Sequence, residues 1–176
     1  MPPSTPIVLR SLSRLFIVTN AAVYAFLAVA IVPYWQTLSG DEIQAWFADH
    51  FGRFATMMVP VHLLAITTTI AAAVTNRHRL RAEAGLWGMV LVGLLASQAF
   101  NFTLFAVVLN PDLSSQTLTP TDAIDTLDDW DTWHTVRTLL VLASAAAIVT
   151  LTTRTAGSSV VASEASDPSG RHQPSS

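Results

Sequence analysis

Three side chains in this sequence stand out as able to do acid–base or charge-stabilising chemistry: His62, His134 and Arg137. All three sit within or against apolar stretches, where ionisable groups are costly and usually face a bundle interior or a site. An imidazole can take or give a proton near neutral pH, and a guanidinium offers a fixed cation with a planar fork of donors. A base beside such a cation is suited to removing a proton from an acidic carbon and holding the oxyanion that forms.

The spacing gathers further polar groups around them. Trp130, His134, Arg137 and Val141 follow an i, i+4, i+7, i+11 pattern, so one helix face carries an indole, an imidazole and a guanidinium in succession. Gln98 and Asn101 are three apart, and Asn20 and Tyr24 are four apart, each pair on one face. The expected site is one pocket: His62, His134 and Arg137 in catalytic roles, with Asn101, Phe105, Trp130 and Trp133 against the substrate. Each residue also has a plainer role open to it. The histidines, Asn101 and Gln98 can serve as interhelical hydrogen-bonding groups, the run Thr67-Thr68-Thr69 can bond its own helix backbone, and Arg137 can snorkel to headgroups. His50 and Asp49 read as solvated loop residues.

The elements that must hold these groups are transmembrane helices. Of 176 residues, 51% are hydrophobic and 12% charged, too little polar surface for a chain facing water all round. A net charge of −3, without a long basic run, argues against a nucleic-acid partner. With no cysteine, disulfides and thiolate metal sites are excluded. Four stretches have the roughly 20 apolar residues that a bilayer core demands: 15–34, 54–74, 86–109 and 133–153. An all-α bundle of four transmembrane helices over 1–154 follows, with 155–176, rich in Gly, Ser and Pro, as a disordered tail. Segments around Ser39–Glu42, Asn76–Arg81 and Asn110–Asp131 read as loops.

Arg10 and Arg14, then Arg77, Arg79 and Arg81, then Arg154 flank the spans on one side, which places both termini in the cytoplasm. The acidic segment from Asp112 to Asp131 is then external. The start also has the form of a secretory signal ending at Ala28-Val29-Ala30, but its apolar run continues through Ile31, Val32 and Pro33 to an aromatic anchor, Tyr34-Trp35. Counted from the outer boundary, His62 and Asn101 lie about 12 Å deep, Gln98 about 16 Å, and His134 and Arg137 within about 6 Å. Pro60, two residues before His62, is expected to bend the second helix where the pocket opens. Ala143 and Ala147 are spaced to let helices approach closely.

The stretch Trp130-Asp131-Thr132-Trp133-His134-Thr135-Val136-Arg137-Thr138 resembles the start of the last helix in the anthrone oxygenase-like family of small four-helix membrane proteins, with its W-x-x-W-[NH]-x-x-R-T pattern. Val32-Pro33-Tyr34-Trp35-Gln36-Thr37-Leu38 and Asn110-Pro111 add similarity. Here His134 stands where Asn is frequent, and the acidic segment is long. The resemblance implies oxidation of a lipophilic aromatic, an anthrone, by molecular oxygen without an added cofactor; the expected location is a bacterial plasma membrane. Two other readings stay open: a non-catalytic membrane binding or accessory protein, and a haem or metal protein ligated by His62 and His134. No close-spaced His pair on one helix favours the latter, and no metal site is expected.

Overall fold

The computed structural model describes residues 5–75 and 80–165. Four rods are long and apolar enough to cross a membrane, at Ile7–Trp35, Gly40–Thr75, Gly85–Ser114 and Pro120–Leu151. No strand occurs among the described residues. The protein is a multi-pass integral membrane protein, a bundle of four helical rods whose outward faces carry large apolar side chains such as Val29, Val92 and Val107. Those faces meet lipid, which is why the apolar residues show no single buried stripe.

The first rod is α1 (Thr5–Phe26), a π-helical turn (Leu27–Ile31) and α2 (Val32–Trp35). The second is α3 (Gly40–Thr75) throughout. The third is α4 (Leu80–Phe100), a π-helical stretch (Asn101–Leu109) and α5 (Asn110–Ser114), and the fourth is α6 (Pro120–Ala165). Both π segments stop just before a proline, Pro33 or Pro111. A proline ring collides with the carbonyl four residues back and offers no N–H to it, so the preceding turn widens. The Val32 N–H accordingly reaches Leu27, and the Asn110 N–H reaches Phe105, each five residues back. Pro60, by contrast, lies inside an unbroken α3.

The helices run further than the apolar stretches alone imply. The segment expected to be a long acidic loop is helical from Pro120, and the turn between α5 and α6 is only Ser115–Thr119. Two local forces explain this. Thr119 and Asp122 cap the helix start reciprocally, Oγ1 to Oδ2 at 2.6 Å and Asp122 N–H to Oγ1 at 3.2 Å. Ala123, Leu127 and Trp130 then bury one face, leaving the aspartates on the other. The same device starts α3, where the Ser39 N–H bonds Glu42 Oε2 at 2.8 Å and Gly40–His50 becomes helix. Gln44 ties the two starts together: its amide donates to the Leu118 carbonyl at 3.1 Å and accepts the Leu118 N–H at 3.1 Å. The backbone of α6 is helical through Ala165, and the remainder of the expected tail, 166–176, lies outside the described residues, as do positions 76–79 of the expected loop at 76–81, whose last two residues open α4.

Two apolar clusters fill the bundle at different levels. One is mainly aliphatic and includes Ile17, Ala65, Val90, Leu94, Ala147 and Ile148; the other is mainly aromatic and includes Trp35, Phe47, Phe105, Leu113 and Trp130. Between them lies a belt of buried polar side chains, Asn20, His62, Ser97, His134, Arg137 and Thr138. At the aliphatic level α4 and α6 meet through Gly93, where a Cβ would strike Ser144 Oγ and the Leu140 carbonyl. The close approach thus uses Gly93, Ser144 and buried Ala147 and not Ala143, which is exposed on the lipid side of α6.

Candidate functional site

Arg137 is the hub of the polar belt. The side chain is buried, at 5% exposure, and all of its recorded partners are neutral. Its Nε and Nη2 donate to His134 Nδ1 at 3.1 and 2.9 Å, and Nη1 donates to Asn101 Oδ1. Phe105 lies under the guanidinium, 3.6 Å from Cζ to the ring centre, with the Tyr24 and Trp130 rings each at 5.1 Å. Such a cation–aromatic box stabilises a desolvated guanidinium without neutralising it. Of its five N–H groups three are used, which leaves one on each terminal nitrogen.

The neighbours of Arg137 are themselves held in place. Asn101 Nδ2 donates to Tyr24 Oη at 2.9 Å, so this amide bridges the first and fourth rods. His134 is fully buried, stacked on Tyr24 (5.8 Å between centroids) on one side and Trp130 (4.8 Å) on the other. Its Nδ1 accepts from Arg137, so the neutral ring carries its proton on Nε2, which faces Thr138 Oγ1 at 3.4 Å. Trp130 Nε1 donates to Asn110 Oδ1 at 2.9 Å, anchoring the indole to the end of the third rod. His62, on α3, accepts from Asn20 Nδ2 at 3.0 Å through Nδ1; its Nε2 is buried without a hydrogen-bond partner among the described residues.

A cavity of about 510 Å³ lies against this belt, lined by Tyr24, Trp35, Trp46, Phe47, His62, Gln98, Asn101, Trp130 and Arg137. The rest of its wall is mostly apolar and comes mainly from the second and third rods, with Val59, Phe102 and Ala106 at the lipid surface. The opening is therefore lateral, between those two rods, while the aromatic cluster and α5 close it toward the turns.

Four of the residues expected to meet do so: Asn101, Trp130, His134 and Arg137 touch, and His62 faces the same cavity from the opposite rod. Three placements differ from expectation. His134 stands behind Arg137 and does not line the cavity, because its ring is enclosed by Tyr24 and Trp130. Phe105 is the floor under the guanidinium and not a wall. Trp133 is 38% exposed and packs on Phe100, outside the cavity. On a helix it lies about 60° around from Trp130 and about 100° from His134, enough to turn it off the site face. His134 and Arg137 fall fourteen and seventeen residues after the start of α6 at Pro120.

The chain matches no family model, no curated protein and no solved structure. What it does must be argued from the site itself. Tyr24 is the member that sequence reasoning passed over: its place four residues after Asn20 marked a shared face, and its contact with Asn101, His134 and Arg137 depends on two other rods. Asn20 likewise had a visible signal, one amide deep in an apolar span, but its partner His62 lies 42 residues away. Ligation of haem or a metal by the His62 and His134 pair fits the geometry poorly, because His134 has both faces covered and both ring nitrogens facing protein groups. Among the described residues no group of three or more His, Cys, Asp or Glu side chains is placed to hold a metal ion.

Proposed function

We propose that this protein takes a lipophilic aromatic molecule from the bilayer and seats an anionic oxygen of it, an enolate or phenolate, on Arg137. The observation that carries the reading is charge balance. The ion pair recorded among the described residues is Arg10 with Glu83, while Arg137 faces an aromatic cavity with no carboxylate partner and two N–H groups uncommitted. An unpaired cation held in a low-dielectric site attracts developing negative charge strongly. The lateral opening and the aromatic wall favour a flat, lipid-soluble guest.

The reaction class that best uses such a seat is cofactor-independent oxidation of an anthrone-type substrate by molecular oxygen, as the likeness at Trp130 to Thr138 implies. Loss of a proton from the acidic CH₂ gives an enolate whose oxygen rests on Arg137. The carbanion carbon passes electrons to dioxygen and bonds it, and the resulting hydroperoxide loses water, leaving a carbonyl; one oxygen atom ends in the quinone and the other in water. His62 is the imidazole that lines the cavity and is the proton acceptor in this scheme, once its ring is released from Asn20. His134 orients Arg137. A second reading, binding without turnover, is favoured by the engagement of both imidazole Nδ1 atoms. We place the protein in a bacterial plasma membrane with both termini cytoplasmic, from the Arg clusters; a reporter fused at Thr117 that is active in the cytoplasm would overturn that orientation.

The test is oxygen uptake by the purified protein with 9-anthrone, with anthraquinone followed by absorbance. The expected result is one oxygen consumed per quinone formed, with a loss of ten- to a hundredfold in kcat/KM for Arg137→Lys, which keeps the charge and loses the planar fork. Tight binding without oxygen uptake would select the binding-only reading, and no binding would overturn both.

A further inference from the structure

Gln98 is a polar group in the cavity that the site does not use. It lines the same cavity as Arg137, is half-buried, and has no hydrogen-bonding partner among the described residues. Its neighbour one turn on, Asn101, has its amide occupied on both sides, by Tyr24 and by Arg137. An amide facing an apolar cavity inside a membrane costs free energy unless something bonds it. Lipid tails cannot supply that partner.

We infer that Gln98 is a second recognition point, reading a neutral oxygen of the same guest whose anionic oxygen sits on Arg137. This rests on the proposed role of Arg137 and narrows the ligand class. Gln98 and Asn101 are three positions apart, about 4.5 Å along the rod, and Asn101 touches the guanidinium. To match that one-turn offset we take the guest to carry its two oxygens about 5 Å apart, the separation of meta substituents on one aromatic ring. A hydroxyl at that position can donate to the amide oxygen of Gln98, and a carbonyl can accept from its NH₂. Flat aromatics with one oxygen fill the cavity but leave Gln98 unsatisfied.

The test uses two unreactive probes, 2-naphthoate and 4-hydroxy-2-naphthoate, whose added hydroxyl is meta to the carboxylate. Binding is read from quenching of the tryptophans that line the cavity, in wild type, Gln98→Leu and Arg137→Gln. In wild type the hydroxylated probe should bind about five- to tenfold tighter, the worth of one neutral hydrogen bond. Gln98→Leu should erase that ratio and leave 2-naphthoate affinity within about twofold. Because the ratio is taken within each protein, a general loss of folding cannot imitate it. Equal affinities in wild type, or a ratio that survives in Gln98→Leu, would overturn the role of Gln98. If 2-naphthoate binding is unchanged in Arg137→Gln, the anion seat itself fails, and the Gln98 inference falls with it.

Discussion

Two arginines at different levels of one bundle are treated in opposite ways. Arg10, beside the aliphatic cluster, bonds Glu83 at 3.2 Å; the same carboxylate oxygen accepts Trp87 Nε1 at 3.1 Å. Arg137, beside the aromatic cluster, is the more deeply buried, yet its partners are His134, Asn101 and three aromatic rings. The packing differs in the same sense. At the aliphatic level α4 and α6 touch backbone to side chain at Gly93, whereas at the aromatic level the second and third rods part to leave a cavity. One half of the bundle is closed and charge-balanced, and the other is open and charge-deficient. The first is what stability requires, and the second is what a binding site requires.

The contrast breaks most visibly at Gly93. In Gly93→Val the new side chain collides with Ser144 Oγ and the Leu140 carbonyl, and neither helix can yield locally. Overpacking of this kind should cost about 3 kcal/mol and reduce the yield of folded protein in detergent. Ala106→Val, on the cavity wall, adds similar volume where there is room and should leave thermal stability nearly unchanged. Equal losses in the two variants would mean that the halves are not packed differently.

A smaller effect separates positioning from packing. Tyr24→Phe removes the acceptor of Asn101 Nδ2 while keeping the ring stacked on His134. The expected cost is about 1 kcal/mol in ligand affinity, roughly fivefold, because Asn101 loses its brace on Arg137. Thermal unfolding should move little. A fall in stability with unchanged affinity would make the Tyr24 hydroxyl a structural bond only.

Smallest of all is Glu83→Gln, which takes the carboxylate from Arg10 but keeps a hydrogen-bond acceptor. The pair is partly exposed, so the loss should be within about 1 kcal/mol, and ligand binding should not change. An effect on binding would show that the two levels are coupled.

Much of this arrangement was legible before any coordinates. Apolar length located the four rods, and the spacing of Trp130, His134 and Arg137 put them on one face. The acidic segment was misread because its aspartates hide an i, i+4, i+7 set, Ala123, Leu127 and Trp130, that belongs to a helix. Trp133 belongs to the same short pattern as Trp130 and His134, yet helical phase turns it off the site face. The π-helical turns follow from Pro33 and Pro111 only once the surrounding helix is known to continue. The cover over His134, and the neutrality of everything around Arg137, come from residues far apart in sequence. Neither could be read from one helix.

The central claim, that Arg137 is left without a carboxylate so that a ligand can supply the negative charge, is tested most directly by supplying that charge from the protein. Asn101→Asp puts a carboxylate where the Asn101 amide already bonds Nη1, and Tyr24 can donate its hydroxyl to it. The measurement is paired: thermal stability and 2-naphthoate affinity of this variant against wild type. The account predicts movement in opposite directions, with stability raised and affinity reduced at least tenfold as the internal anion occupies the seat. Raised stability with undiminished 2-naphthoate binding would contradict it, and would make Arg137 a structural cation that no ligand needs.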